Sequence, residues 1–422
     1  MEDTRANRPV LVVGAGIAGL TVAHQLHRRG IDVVVCDSRR PGAGASHGNA
    51  GWINPAQTGP LPEPGLVADG LTGFTRPDSP LHLAPASVPL LTPWFLRFLR
   101  NCTPARYTRG AEALAALGRR TFPLVEQLAQ DGVEFTSRRT RFLAVAEDPA
   151  HVEGYLAALE PLRRAGFPLP DAPTGGDELR ETEPALSERV TCGAVLDEHV
   201  QTEPASVVRG LTAHLRAGGV EVNEGEAVLG VHARDGVVSA VRTTEGTRNA
   251  GAVVIATGAG ASALTQVMGH RLPVEGGRGY SFDVPAHPLP THSTLLLDAH
   301  VACAPMGERL RISGGMDFGL HGRVPEPSRI SAVARSAEPM LRGVDWADRR
   351  HPWTGERPLA PDGLPIVDRL PGHTNAYVAT AYSMLGMTLS GPAAEALARF
   401  MVEGTRPEVL EPFRADRFGL CR

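Results

Sequence analysis

Three glycines, Gly14, Gly16 and Gly19, follow the apolar run Val10-Leu11-Val12-Val13 in the order Gly-x-Gly-x-x-Gly. A strand–turn–helix of this kind presents backbone N–H groups and the positive end of a helix dipole to an anion. Gly14 permits the tight turn, Gly16 lets a pyrophosphate approach, and Gly19 lets helix and strand pack. Ile17 and Ala18 open the helix. Asp37 stands 23 positions after Gly14, close to the ~20 expected of an acid that binds ribose hydroxyls. Ser38 and Arg39 follow it. An acid at that position disfavours a 2′-phosphate, so Arg39 and Arg40 read as solvated or adenine-side residues. A second turn, Ala256-Thr257-Gly258, closes the apolar run 252–255. Val228 lies in the strand that precedes it. With a hairpin at Asp235-Gly236, these features point to FAD in a glutathione-reductase-like fold. No second Gly-x-Gly-x-x-Gly opens a later NAD(P)H-binding unit.

The elements that must position these residues follow from periodicity. Residues 9–13 and 32–36 read as buried strands around a helix at 17–29, a βαβ start. Residues 41–93 are rich in Gly and Pro and are expected to be irregular. Helices are expected at 109–130, interrupted by Pro123, and at 151–164, 206–217 and 391–401. The apolar segment 88–100 reads as a core helix, with contact at a membrane surface as the other reading. Strands are expected at 142–146, 220–222, 227–232, 237–243, 252–255 and 376–380. Those at 280–284, 301–305 and 310–313 suggest a further, antiparallel sheet.

Composition narrows the chemistry. All 42 basic residues are arginine, and the chain has no lysine. Schiff-base chemistry, a lysine general base and a P-loop are therefore excluded. Glycine and proline make up about a fifth of the 422 residues, below the roughly 25–30% of low-complexity chains. A net charge of −4 gives no footprint for nucleic acid. The five cysteines are scattered, without a Cys-x-x-Cys, so neither a metal cluster nor a disulfide framework is expected, and a reducing cytoplasm is the default.

Several further segments resemble the D-amino-acid oxidase-like flavoprotein family, most closely its D-amino-acid dehydrogenase branch, over nearly the whole chain. Gly44-Ala45-Ser46-His47-Gly48-Asn49-Ala50-Gly51 is similar to the family's Ser-x-x-Asn-Ala-Gly loop beside the flavin. Segments 93–101 and 273–281 also resemble that branch, with Arg278 where the family usually has lysine. Trp353-Thr354-Gly355-Glu356-Arg357-Pro358, followed by Pro361-Asp362-Gly363, matches Trp-x-Gly-Leu-Arg-Pro and Pro-Asp-Gly. Ala379–Thr388 matches Ala-Thr-Gly-His-Gly-Thr-Leu-Gly-Trp-Thr.

The resemblance implies an α/β fold: a Rossmann-type FAD domain (1–55, 195–270, 345–422) with an inserted substrate domain on a mainly antiparallel sheet (56–194, 271–344). It implies non-covalent FAD, held by the residues named above with Ser46, His47, Asn49, Ala50, Gly51, Arg357 and the Leu385-Gly386-Met387-Thr388 loop. It implies oxidation of the Cα–N bond of an amino or imino acid by hydride transfer to flavin N5. The acceptor is then oxygen, a quinone or another carrier. Alternatives are a tailoring enzyme acting on a modified amino acid and a subunit of a heteromeric dehydrogenase.

Arg357 is expected to bind the substrate carboxylate through paired charge-assisted bonds. Tyr382 either bonds substrate or flavin or packs under its loop. His47 is a candidate base, and Arg278, Trp52 and Tyr280 are candidate substrate contacts. No metal site is expected. The chain departs from the family at Ala381, Tyr382 and Ser383, which replace Gly-His-Gly, and at Glu356 and Asp368. These departures suggest a polar, cationic or specialised substrate. The sarcosine-oxidase-like branch uses a flavin-side lysine toward oxygen. Without one, the balance shifts toward a dehydrogenase.

Overall fold

The computed structural model describes residues 8–64, 79–319 and 324–419. Two sheets carry the architecture. The first has six strands in the spatial order Ile366–Arg369, Ala376–Thr380, Ala252–Ile255, Val10–Val13, Val33–Cys36 and Glu221–Asn223. All pairings are parallel except that of the first two strands. Its strands are continuous apolar runs because both faces are covered. On one face lie the helices Ile17–His27, Pro204–Ala217 and Gly386–Glu403, whose core includes Leu20, Leu211 and Leu397. On the other lies the meander Val228–Arg234, Val237–Thr243 and Gly246–Asn249. The hairpin at Asp235-Gly236 has φ of 50° and 74°, the left-handed pair a tight hairpin turn requires.

The second sheet runs in the order Arg350–Leu359, Glu275–Val284, Arg309–Phe318, Val301–Met306, Ser293–Leu296, Ser137–Ala146, Cys192–Thr202 and Trp52–Ile53. It is antiparallel except where Ser293–Leu296 meets Ser137–Ala146 and where Leu81–Leu83 joins Arg309–Phe318. The expected domain division shifts here. Trp52–Ile53, Arg350–Leu359 and the part of Cys192–Thr202 beyond residue 195 were assigned to the nucleotide-binding part, yet all pair into the large sheet. A strand's sheet is fixed by its partners, which local sequence does not reveal.

Two local readings change as well. The 109–130 segment forms two helices, Pro104–Gly118 and Thr121–Gln130. Pro123 sits in the first turn of the second, where a missing N–H costs nothing. The 41–93 stretch contains the Leu81–Leu83 strand and the start of the Val88–Asn101 helix. That helix buries Leu91, Trp94 and Phe98 against Met316, Phe318 and Leu359. Among the described residues no helix is long and apolar enough to cross a membrane.

The face of the large sheet turned toward the helix Pro327–Ala337 holds a buried polar triad. Arg329 donates to both oxygens of Asp317, at 3.0 and 2.6 Å, and Tyr280 donates its hydroxyl to the same carboxylate at 2.7 Å. Asp317 is fully buried and Arg329 nearly so. Breaking such a pair from one side strands the other charge, at ~3–5 kcal/mol. Asp317→Asn is therefore expected to lower stability by about that amount in denaturant titration, whereas exposed Arg164 can be truncated at little cost.

Candidate active site

The glycine turn has the close contacts its sequence demands. Gly14 has φ of 106°, and a Cβ there would lie 2.6 Å from the Ala256 carbonyl oxygen. A Cβ on Gly19 would lie 1.8 Å from the Gly14 oxygen. The two turns predicted to meet a cofactor thus touch each other. Asp37 accepts the Ala15 N–H at 2.7 Å and the Arg39 N–H at 2.8 Å, one on each oxygen, which leaves further lone pairs for hydroxyl donors. Ser46 Oγ accepts the Ile17 N–H at 2.9 Å, tying the 44–51 loop to the glycine turn. Ser38 is exposed. Val228 packs on the cluster of Leu11, Val13, Cys36 and Ile255.

The helices Ile17–His27 and Gly386–Glu403 begin side by side: a Cβ on Gly386 would lie 3.7 Å from Ile17 Cγ2. Neither N-cap residue supplies a side-chain cap, and neither first turn holds an acid. Thr257 Oγ1, in the 256–258 turn, is buried without a partner among the described residues. Two paired helix N-termini, a carboxylate with free lone pairs and a cradle that admits no Cβ fit an anionic dinucleotide. The residues therefore fit FAD.

The 46–54 loop is held from both sides. Gln201 Nε2 donates to the Ala50 oxygen at 2.8 Å, and Thr202 donates its N–H and hydroxyl to the Gly51 oxygen, both at 2.9 Å. Gly51 has φ of 70°, and a Cβ there would lie 2.0 Å from the Thr202 oxygen. Asn49 Oδ1 accepts the Gly51 N–H at 2.8 Å. Thr388 Oγ1 donates to the Trp52 oxygen at 3.3 Å and accepts the Asn54 N–H at 3.2 Å. Gly48 faces the indole of Trp353, whose Cδ2 would lie 2.2 Å from an added Cβ. Burial, with Arg40 and Arg311 nearby, lowers the pKa of His47 below its ordinary value. Its imidazole is therefore neutral at neutral pH and able to accept a proton.

Arg357 lies across Gly279, where a Cβ would sit 2.2 Å from its Nη1. Nη1 donates to the Gly315 oxygen at 2.7 Å. The guanidinium forms no ion pair among the described residues. The nearby acids are otherwise engaged: Asp362 is held by Arg417 at 2.7 Å, and Glu356, the next residue on the strand, points to the opposite face and is exposed. Burial lowers the Arg357 pKa to about 10, with Asp317 acting in the other direction. A desolvated cation without a counter-ion is a site for an anion.

The other predicted contacts divide by strand alternation. Arg278 and Tyr280 flank Gly279 and so face away from Arg357. Arg278 is buried between Glu356 and Asp317 in the register, and Tyr280 belongs to the Asp317–Arg329 triad. Trp52 pairs with Gln201 and packs edge-on against Phe142. Cys303 is buried in its strand, and burial pushes its thiol pKa up.

Sequence departures that hinted at substrate are explained by structure. Glu356 does not face the Arg357 side. Asp368 is buried, accepting from Arg406 at 2.7 Å and from the Ala415 N–H at 2.9 Å, which fastens the C-terminal segment. Ala381 and Ser383 have φ of 61° and 53°, the left-handed region where glycine is unstrained. Between them Tyr382 is buried, its hydroxyl without a partner among the described residues, and burial raises its pKa.

Sequence reasoning missed Gln201, Thr202 and Arg311. They lie on strands, without a motif. Their only signal is a polar residue at every second position, as in Arg309-Leu310-Arg311-Ile312-Ser313.

Fold and site together define a flavin-dependent oxidoreductase. The chain belongs to the FAD dependent oxidoreductase family, DAO, which it matches over residues 9–400. It is 31% identical over 411 residues to a D-amino acid dehydrogenase of Cereibacter sphaeroides, spanning 95% of this chain and 93% of the relative. It is 30% identical over 422 residues to the D-amino acid dehydrogenase of Paramagnetospirillum magneticum, spanning 97% and 98%. Among solved structures, glycine oxidase from Geobacillus kaustophilus superposes with a TM-score of 0.76 at 21% identity, over 97% of this chain and 98% of that one. L-proline dehydrogenase from P. horikoshii superposes at 0.75 and 18%, over 98% and 99%. The structural likenesses establish the fold.

Ser383→Gly is expected to stabilise the protein by up to ~1 kcal/mol, because it relieves a left-handed residue. Ala381→Gly is expected to gain less, since it also deletes a buried methyl. Thermal unfolding of the FAD-loaded variants measures both.

Proposed function

We propose that this protein oxidises the Cα–N bond of an amino or imino acid, in the manner of its D-amino acid dehydrogenase relatives. The observation that carries this reading is Arg357: a partly buried guanidinium with no ion pair among the described residues, on the strand whose Pro358 oxygen accepts the Ser383 N–H. Two of its N–H groups can grip a carboxylate side by side, which fixes the rest of the substrate. Bound FAD would supply the acceptor for the hydride equivalent leaving Cα. The loop anchored by Gln201, Thr202 and Thr388 fixes the wall of the site. The start of the Gly386–Glu403 helix favours negative charge at the cofactor's pyrimidine end. In this reading His47, half-buried and with its pKa lowered, would take the proton of a substrate ammonium. The imine would hydrolyse to a 2-oxo acid or persist as a cyclic imine.

We assign FAD binding to the residues named above without a covalent link, and place the enzyme in the cytoplasm. The absence of lysine favours a carrier other than oxygen as acceptor.

The test is anaerobic bleaching of the bound flavin, screened over D-, L-, N-methyl and cyclic amino acids. At least one class is expected to bleach it. Arg357→Ala is expected to cost ~2–5 kcal/mol in kcat/KM for carboxylate substrates while the flavin is retained. Undiminished turnover in that variant would overturn the assignment.

A further inference from the structure

A chain of buried side chains beneath the flavin-side loop has a direction fixed by hydrogen-bond accounting. Gln201 Nε2 donates to the Ala50 and Thr202 oxygens, at 2.8 and 2.9 Å, so its Oε1 is the acceptor that faces Ser293. Ser293 therefore spends its single proton on Gln201 Oε1, at 2.6 Å. The 2.9 Å contact between Ser293 Oγ and His199 Nε2 must then carry a proton from the histidine. His199 is thus the neutral Nε2–H tautomer, and its Nδ1 presents a bare lone pair. That atom is buried and has no partner among the described residues. Burial lowers the His199 pKa to about 3, so the ring stays neutral at any working pH.

Beside it stands the complementary orphan. Trp52 Nε1–H is buried without a partner, and the indole lies edge-on to His199 with ring centroids 6.4 Å apart. Phe142 forms an apolar floor, 4.8 Å from Trp52 and 5.4 Å from His199 between centroids. Tyr155, packed on the same cluster, adds a third unpartnered polar atom among the described residues, its hydroxyl. Buried donors and acceptors without partners are rare and each calls for an explanation.

The register places this group on the face that bears Arg357. Arg357 pairs with Gly277, and Ser281 on the same face of that strand pairs with Ser313. Ser313 pairs with Ala302, Ala302 with Leu295, and Leu295 with Ala144, whose same-face neighbour is Phe142. Directly paired residues share a face.

We infer that Trp52 Nε1–H and His199 Nδ1 form a donor–acceptor pair that selects substrates whose side chain carries a neutral hydrogen-bonding group, a hydroxyl or a carboxamide. Such a group can donate to His199 and accept from Trp52 at once. A carboxylate offers no proton to the His199 lone pair, and an ammonium cannot accept from the indole. An alkyl chain leaves both atoms unpaired, a loss that discriminates more strongly than a missing methylene. The inference rests on the amino-acid reading above.

The test compares isosteric pairs on the FAD-loaded enzyme: serine with 2-aminobutyrate, asparagine with aspartate and leucine, and glutamine with glutamate, in both enantiomers. Flavin bleaching is followed anaerobically. The wild type is expected to favour the hydroxyl or amide member by at least about tenfold in kcat/KM. Trp52→Phe and His199→Phe are each expected to erase that preference, bringing the ratio of the two kcat/KM values to about one. Because Trp52→Phe removes an unpaired donor and keeps a ring, its thermal stability is expected to match or exceed the wild type's. Perturbation of the flavin spectrum by unreactive 3-hydroxypropionate against butyrate, both carboxylates, reads the same selectivity without turnover.

Bleaching by apolar amino acids with no polar preference would overturn this inference and leave amino-acid oxidation standing. Equal losses on every substrate in both variants would assign the pair to structure alone. No bleaching by any amino acid would sink both readings together.

Discussion

The short Gly48–Trp52 loop constrains everything else in the site. Gly48 lies against Trp353 in the first strand of the large sheet, and Trp52 pairs with Gln201 as the last strand of the same path. Eight strands spaced at ~4.8 Å would hold those edges roughly 34 Å apart if the sheet were flat. Four residues reach at most ~14 Å. The sheet must therefore curl until its edges meet at the loop. That curl encloses one face and turns it toward the dinucleotide cradle. Thr388, at the start of the last long helix, bonds the same loop and ties the closure to the nucleotide-binding sheet.

Strand alternation then divides the residues of the two strands nearest the flavin. Arg357 faces inward, with room made by Gly279, and lacks a counter-ion among the described residues. Its neighbours Glu356, Arg278 and Tyr280 face outward, where Asp317 and Arg329 complete a buried network. The two faces differ in kind. One has its charges matched and rigid, while the other keeps a cation, an indole N–H and an imidazole lone pair unmatched. Unmatched groups cost stability in the free protein.

Much of the fold was legible in the chain. The βαβ start, the glycine turn, Asp37 and the hairpin at Asp235-Gly236 are local patterns with local causes, and they stand within a residue or two of their expected places. The site was legible in part. Arg357, the 44–51 loop and the 385–388 loop came from motifs, and the structure brings them together. The expected roles of Arg278 and Tyr280 rested on position in a motif, and one step of pleat sends both to the other face. The substitutions at 381, 383 and 368 looked like clues to substrate. They mark instead two left-handed residues and an anchor for the C-terminal segment.

The sequence by itself determined the cofactor class, the motif that carries Arg357 and the exclusion of lysine chemistry, because each depends on residue types at short spacing. Only the tertiary structure decided which face each strand residue occupies, which strands belong to the large sheet, and that Gln201, Ser293, His199 and Trp52 lie together. Those facts depend on pairing between segments far apart in the chain, 92 residues for Gln201 with Ser293 and 94 for His199 with Ser293. Hydrogen-bond register and sheet curvature set such pairings, and neither leaves a trace in the order of neighbouring residues.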